Sequence, residues 1–290
     1  MSVAEYHKKV ERFESALDSR IGSFARSVVY QTKLGHACPV CGGPKQAGYP
    51  YCYACKRERD DANRLGLKLA DDVRASYYAY ERNDKYHGVD QLYRAMCGYK
   101  SNDAEAAEHQ NIVKYILADA LAVHYPCIEE CTGSLPTSWA TIPSSQSSPR
   151  YGKPHVLTAL VRPLMEPKDI EQIQLVANSV KTHNGINVEA FTLADESTHT
   201  DLSHVLLIED SWVSGATVQS VAVMLHQRGA SQVTVYCVAR VIDLRAVRMS
   251  SLGEDIAEGY ANLPYRHWCP WTHQLRTACS LFASKRGKEE

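Results

Sequence analysis

The chain has 290 residues, of which 44% are hydrophobic and 22% charged, and its formal net charge at pH 7 is −1. This length and composition predict a sizeable core, with one main domain and an appendage. The balanced charge excludes a global drive toward nucleic acid or anionic membranes. No apolar run is long enough for a membrane span and there is no signal-peptide core, so we expect a cytoplasmic protein without membrane contacts. Its ten cysteines should then bind metal or remain free thiols.

The N-terminal region has apolar residues at intervals of three and four over residues 3–29. This spacing predicts one long amphipathic helix. Its polar face carries charges of both signs, which favours packing against the main domain or a second subunit over a role at a membrane surface.

Four cysteines follow as two Cys-x-x-Cys pairs separated by a ten-residue insert, namely Cys38, Cys41, Cys52 and Cys55. Each pair places two thiolates on one tight turn, so that the four sulfurs can close a tetrahedron around zinc. Because protein would fill all four positions, this zinc would be structural. A thioredoxin-type redox pair is the alternative, but there are two pairs and no strand precedes the first.

A charged segment follows the cysteines and is predicted to be helical to about residue 72. Acidic residues interrupt its basic ones, which favours a solvated helix face over a contact with nucleic acid. Residues 73–80 alternate and are rich in aromatic side chains, as in a strand.

Further elements are predicted from hydrophobic period and from turn residues. They are helices over residues 87–100, 105–125, 154–165 and 216–228, and strands over 139–143, 187–193, 205–208 and 232–240. Strands and helices that alternate at this spacing imply parallel crossovers, and hence an α/β fold with a doubly wound sheet. A ligand should bind at the carboxyl edge of such a sheet, where the strand order reverses.

Residues 204–217 combine an apolar strand, two acids and a small-residue loop that opens a helix. Glu209 and Asp210 stand at the end of the strand, where adjacent carboxylates can accept hydrogen bonds from a vicinal diol and face a divalent cation. Gly215 lets the backbone approach a ligand, and the start of the helix favours a phosphate. A ribose 5-phosphate needs both kinds of contact. An ordinary strand-turn-helix is the alternative, and the match in both spacing and chemistry disfavours it.

At these residues the sequence resembles the type I phosphoribosyltransferases, whose signature is an apolar strand, two acids, a variable stretch and a Thr/Ser-Gly-x-Thr loop. The resemblance implies that Glu209 and Asp210 hold the ribose hydroxyls of phosphoribosyl pyrophosphate (PRPP), together with Mg2+. It also implies a loop for the 5-phosphate, formed by Val213, Ser214, Gly215, Ala216 and Thr217. Many purine-using members carry an acid at the position of Val213, which disfavours purine salvage. Trp212 is unusual here and is either a lid or a buried structural residue.

Together with the four cysteines, the order of elements resembles the ComF-like (competence-protein F) phosphoribosyltransferases over roughly residues 36–241. That family usually meets pyrophosphate with a Val-Pro-x-Pro-like strand end and an Arg-rich loop. This chain departs from the pattern in residues 141–145 and in the loop that follows. The candidate pyrophosphate contacts are therefore Ser144, Ser145 and Arg150.

The resemblance and the predicted elements together indicate an α/β, mostly parallel, doubly wound type I phosphoribosyltransferase fold with four regions. These are an amphipathic helix in residues 1–35, a zinc knuckle in 36–60, a phosphoribosyltransferase-like domain in 61–242 and a C-terminal extension in 243–290. Two functions remain open. The protein either transfers a phosphoribosyl group to a base or amine, or senses PRPP or a nucleotide without catalysis while its zinc module contacts DNA or a protein. A homodimer is compatible with both.

The C-terminal extension carries the metal-ligand residue types His267, Cys269 and His273. With one thiol and no paired knuckle, a packed aromatic loop is the favoured interpretation. Cys127 and Cys131, at a helix end, are likewise interpreted as core or incidental residues.

Overall fold

The computed structural model describes residues 3–30, 35–82, 90–144, 155–178, 185–194 and 200–275. Its helices are α1 (Val3–Ile21), α2 (Tyr53–Leu65), α3 (Gln91–Gly98), α4 (Ala106–Ala118), α5 (Cys127–Thr132), α6 (Val156–Met165), α7 (Ala216–Gln227), α8 (Leu244–Met249) and α9 (Gly253–Ala261). Its strands are β1 (Asp72–Arg82), β2 (Ser138–Thr141), β3 (Glu171–Gln172), β4 (Leu175–Ala177), β5 (Phe191–Leu193), β6 (His204–Trp212) and β7 (Gln232–Asp243). A π-helical turn, Asp119–Val123, continues α4, and a 3-10 turn, Glu166–Lys168, follows α6.

The described strands form a five-stranded sheet in the order β1-β7-β6-β2-β3, in which every neighbouring pair is parallel. The predicted α/β class with a parallel sheet is therefore confirmed. The chain runs from β2 outward to β3 and from β6 in the opposite direction to β7. The strand order thus reverses between β2 and β6, and their carboxyl ends border a crevice.

Both faces of the sheet are covered, as the continuous apolar run of β6 requires. Val205 and Leu207 pack on one face, in a cluster that includes α7 residues and the four cysteines of the predicted zinc module. Leu206 and Ile208 point to the opposite face, where residues of α1, α3, α4 and α6 cover them. Successive residues of a strand alternate between faces, so this one strand joins the two halves of the core.

Helix α1 is shorter than the helix predicted over residues 3–29. It ends at Ile21, because Gly22 follows and is a poor helix former. The next segment pairs antiparallel with the free edge of β1, where the Tyr78 N–H donates to the Arg26 carbonyl at 2.7 Å. The apolar residues beyond the helix are thus buried by strand-like pairing.

The prediction that residues 187–193 form a strand of the main sheet is wrong. Only β5 is extended, and it pairs antiparallel with β4 in a separate two-stranded sheet. Asn187 Oδ1 accepts from the Glu189 N–H at 3.0 Å, and the Ala190 N–H donates to the Asn187 carbonyl at 3.2 Å. This Asx turn takes the start of the segment out of extended structure. The strand that pairs with β2 at the edge of the main sheet is β3. It is polar, has two residues and shows no sequence pattern typical of a strand.

The charged segment after the cysteines is helical only to Leu65, because Gly66 ends α2 in the left-handed region with φ 64°. The other predicted elements are confirmed with shifted ends. Of these, residues 87–89 and Pro154 lie outside the described residues. None of the helices in the described ranges is long and apolar enough to cross a membrane.

Candidate functional site

The two acids at the end of β6 lie beside the crevice between β6 and β2. Asp210 is buried, and its Oδ2 accepts a 2.6 Å hydrogen bond from the hydroxyl of Tyr99. The same oxygen forms an ion pair with Lys100. The Ser211 hydroxyl donates to Oδ1 at 2.8 Å, while Glu209 is half-buried next to this network. Asp210 is therefore held by two residues that follow α3 and by its own neighbour on β6.

The two carboxyl groups have pKa values shifted in opposite directions. Burial and the adjacent Asp210 charge raise the pKa of Glu209 well above its usual range. Burial also acts to raise the pKa of Asp210, but the Lys100 charge and hydrogen bonds to the carboxylate outweigh it and lower that pKa. Asp210 is thus ionised near neutral pH, whereas ionised Glu209 gains from a nearby cation or hydrogen-bond donor.

The loop after β6 is shaped by Gly215 and Trp212. Gly215 has φ 94°, and a Cβ at this position would lie 2.2 Å from the Trp212 ring. Trp212 is 1% exposed, so it is the buried structural residue of the two alternatives. Helix α7 begins at Ala216, directly after the loop, and its positive dipole end lies there. Such a loop can cradle an anion.

A cavity of about 290 Å³ lies over these residues. Its lining includes Lys100, Pro143, Ser144, His155, Glu209, Asp210, Val213, Ser214, Gly215 and Thr217. Of the candidate phosphate-loop residues, only Ala216 is not part of the lining, because it is buried at the start of α7. Of the candidate pyrophosphate contacts, Ser144 lines the cavity, whereas Ser145 and Arg150 lie outside the described residues.

A second cavity of about 350 Å³ adjoins the first, and the two share Pro143 and His155. Its polar lining includes Arg162 and Gln172, whose side chains hydrogen-bond at 3.3 Å. The two cavities together span the crevice from β6 past β2 to β3. This is room for a ligand with two parts.

The four predicted zinc ligands come together in one buried cluster. The sulfurs of Cys38, Cys41, Cys52 and Cys55 all lie within 4.8 Å of one another. Cys41 Sγ and Cys52 Sγ are 3.6 Å apart, close to the S–S separation of about 3.8 Å that tetrahedral Zn–S bonds of about 2.3 Å require. The Gly43 N–H donates to Cys41 Sγ at 3.4 Å. The donor set fits a metal ion of the zinc type, with all four positions filled by protein.

Arg240 connects the cysteine cluster to the loop after β6. Its guanidinium is buried and donates from Nη1 to the Trp212 carbonyl at 3.0 Å and to the Val213 carbonyl at 2.9 Å. The sulfur of Cys41 is close enough for its charge to interact with the guanidinium. Burial acts against its charge, but the nearby cysteines raise the pKa of Arg240 above its usual range. The cation thus lies between four sulfurs and two loop carbonyls, where it compensates negative charge.

Sequence analysis assigned no role to Tyr99, Lys100, His155 or Arg240. Tyr99 and Lys100 are about 110 positions from Asp210 in the chain, so no local pattern connects them. Arg240 did carry a signal, because it is a charged residue within the otherwise buried apolar run of β7. A buried arginine needs acceptors, and the nearest loop supplies them.

Two of the metal-type residues in the C-terminal extension have other partners. His267 Nε2 lies 2.6 Å from Asp18 Oδ1 on α1, and the rings of His273 and Tyr30 are 4.4 Å apart. These contacts are those of the packed aromatic loop that the sequence favoured.

No protein-family model matches this sequence, and no curated protein matches it. Solved structures similar to the chain include a hypoxanthine phosphoribosyltransferase from Staphylococcus aureus, with 12% identity and a TM-score of 0.30 over 46% of this chain and 74% of that one. They also include adenine phosphoribosyltransferases from Leishmania tarentolae (12% identity, TM-score 0.32, 63% and 87% covered) and Leishmania donovani (12%, 0.31, 66% and 81%). Scores at this level describe a partial overlap of the backbones and say nothing of a substrate.

Proposed function

We propose that the protein binds PRPP, or a related ribose 5-phosphate, with Mg2+ in the cavity at the carboxyl ends of β2 and β6. The observation that carries this proposal is that Glu209, Asp210 and the positive-φ loop at Gly215 all border one cavity. The acids would accept hydrogen bonds from the ribose hydroxyls, and residues 213–217 would bind the 5-phosphate. Ser144, with Ser145 and Arg150, would meet the pyrophosphate.

As an enzyme, the protein would transfer the phosphoribosyl group to a base or amine and release pyrophosphate. Mg2+, when bound, would offset the pyrophosphate charge and engage the diol oxygens. Asp210 and Glu209 place negative charge beside the ribose ring, where positive charge develops as the bond to pyrophosphate breaks. The second cavity, past Pro143, is where the acceptor would bind. We propose a relationship to the ComF-like phosphoribosyltransferases, because a cluster of four cysteines precedes this site in the chain.

The second candidate is a module that binds PRPP or a nucleotide without catalysis. Two observations favour it. Val213 is 58% exposed in the loop and offers a base no proton acceptor, and Lys100 pairs with Asp210 in the ligand-free site. In this reading the zinc module, residues 36–60, would contact DNA or a protein partner. A homodimer fits either candidate.

For the cysteine cluster we propose one structural zinc held by Cys38, Cys41, Cys52 and Cys55. Metal analysis of the purified protein should find one zinc ion fewer in the Cys38→Ser/Cys41→Ser variant than in the wild type. Zinc content unchanged in that variant would contradict this assignment. The same zinc would define the boundary between the N-terminal region and the phosphoribosyltransferase-like domain, residues 61–242.

Calorimetry with PRPP and Mg2+ tests the ligand. The wild-type protein should bind PRPP, and Asp210→Asn should weaken binding. Ser211→Ala, which removes a donor to Asp210 Oδ1 at the wall of the same cavity, should weaken it less. A folded wild-type protein that binds nothing at millimolar PRPP would refute the proposal. Pyrophosphate release across a panel of bases then separates the two functions, because binding without turnover above the Asp210→Asn level would leave only the sensor.

A further inference from the structure

A second group of metal-ligand residues lies on the other side of the molecule from the four cysteines. His124, Cys127 and Cys269 bring one nitrogen and two sulfurs within 4.8 Å of one another, and all three residues are fully buried. Cys127 and Cys269 belong to the apolar cluster on the α4 face of the sheet, whereas the four cysteines belong to the cluster on the opposite face. One ion cannot serve both groups.

One spacing within the group matches a tetrahedral site. His124 Nδ1 and Cys127 Sγ are 3.7 Å apart. With Zn–N bonds of about 2.0 to 2.1 Å and Zn–S bonds of about 2.3 Å, a tetrahedron requires an N–S separation of about 3.6 Å. The observed N–S distance therefore matches one edge of such a tetrahedron. The S–S distance of 3.6 Å between Cys41 and Cys52 does the same in the first group.

The second nitrogen of His124 faces a carboxylate. Asp119 Oδ1 lies 3.9 Å from His124 Nε2, and both side chains are at most 1% exposed. Metal-bound histidines commonly direct their other ring nitrogen at a carboxylate, which fixes the tautomer and leaves the first nitrogen to bind the ion. The Asp119 carboxylate thus lies on the Nε2 side of the ring, while Nδ1 faces the sulfur of Cys127.

The backbone around the group is held from both sides. Asp119 begins the π-helical turn after α4, a local geometry that is often found at functional sites. The Trp271 indole N–H donates to the Ala120 carbonyl of that turn at 2.9 Å. Cys269 lies on a tight turn in which its N–H donates to the Gln274 carbonyl and its carbonyl accepts from the His273 N–H, each at 3.0 Å. The cysteine of the C-terminal segment thus lies within 4.8 Å of the histidine that follows the π-helical turn.

We propose that His124, Cys127 and Cys269 bind a second zinc-type ion. The ion would tie the C-terminal segment at Cys269 to α5 and to the residue that follows the π-helical turn. This site is separate from the proposed PRPP site, and its presence does not depend on any activity.

Zinc stoichiometry of the full chain is the first test. The wild-type protein should hold two zinc ions, and both Cys38→Ser/Cys41→Ser and Cys127→Ser/Cys269→Ser should hold one. Cys97→Ser, which changes an exposed cysteine, should keep two. A wild-type protein with one zinc, or a Cys127→Ser/Cys269→Ser variant that keeps two, would overturn the proposal.

X-ray absorption at the zinc edge tests it without any variant, in case the buried substitutions prevent folding. Two sites as proposed give a mixed shell of sulfur and nitrogen, whereas the four-cysteine site alone gives sulfur only. A sulfur-only shell overturns the proposal. So does peptide mapping under non-reducing conditions that finds Cys127 and Cys269 joined in a disulfide.

Discussion

The ammonium group of Lys100 pairs with Oδ2 of Asp210, the same oxygen that accepts the Tyr99 hydroxyl. The acid proposed to hold a ribose hydroxyl therefore already has two donors. In the proposed function, a ribose diol would compete with the lysine for this carboxylate.

Removing Lys100 should destabilise the protein near neutral pH. Lys100→Met leaves the buried Asp210 carboxylate without its cation, and we expect a loss of about 1 to 2 kcal/mol in the free energy of unfolding at pH 7. Urea denaturation of this variant, beside the exposed-lysine control Lys114→Met, measures the loss.

The loss should shrink from pH 7 to pH 5. In the wild type the pKa of Asp210 is lowered, so its stabilisation persists above the unfolded value of about 3.9 and is constant over this range. In the variant, burial without the lysine raises that pKa, so the carboxyl takes up a proton as the pH falls and the penalty declines. A deficit that is equal at both pH values contradicts this account of the pair.

Glu209 should lower the free energy of unfolding when no ligand is bound. Its pKa is raised by burial and by Asp210, so the folded state binds its proton more tightly and stability falls as pH rises above the unfolded value of about 4.3. Glu209→Gln should therefore gain about 1 kcal/mol at pH 8, and less at pH 5.

Thermal unfolding with and without PRPP and Mg2+ checks both parts of this expectation. The variant should melt higher than the wild type alone, and should gain little from the ligand. The exposed residue Glu189 provides the control Glu189→Gln. This variant should have the melting temperature of the wild type and the same gain from the ligand. A Glu209→Gln protein that melts lower at pH 8 would count against the like-charge repulsion.

Much of the site could be predicted from the sequence because it is local. The strand, the acids, the loop and the helix start of residues 204–217 are contiguous, and each has its own signal in period or turn chemistry. The cysteine pairs are equally local. The partners of these residues are not, since Lys100 and Arg240 reach the site only through the tertiary fold. The strand β3 was missed for the same reason, because pairing with β2 overrides its polar composition.

Gly215 should not tolerate alanine, because a side chain there would collide with Trp212. Gly229 provides a matched control for the cost of positive φ alone. Gly215→Ala and Gly229→Ala both place a side chain at positive φ, which costs about 1 to 2 kcal/mol. Only the first also collides with Trp212, since the Cβ at Gly229 meets no atom within 4 Å. We expect about 1 to 3 kcal/mol of further loss for Gly215→Ala, together with loss of PRPP binding.

Chemical denaturation and PRPP titration of the two variants measure the difference. Trp212→Leu combined with Gly215→Ala should recover part of the stability, because the collision is relieved. Equal losses for the two glycine variants would show that the ring contact does not matter.

Arg240 should couple zinc retention to phosphate binding. Arg240→Met removes the donor to two loop carbonyls and the positive charge beside Cys41, so a chelator should strip zinc about 10- to 100-fold more readily, and PRPP affinity should fall. Arg240→Lys keeps the positive charge but loses the planar guanidinium group. In this variant zinc retention should fall less than PRPP affinity. Exposed Arg228 supplies the control Arg228→Met. Zinc release at the wild-type rate in Arg240→Met would separate the two sites.

The pairing of the segment after α1 with β1 bears on how copies of this chain can associate. One edge of the sheet is covered by the chain's own residues, with the Tyr78 N–H already bonded to Arg26, and at the other edge stands β3 with only two residues. Neither edge of the described sheet offers a long row of unpaired backbone groups to a neighbour. A dimer of this protein would therefore be held by contacts between side chains, and a sheet continuing from one copy into the next is disfavoured by the fold itself.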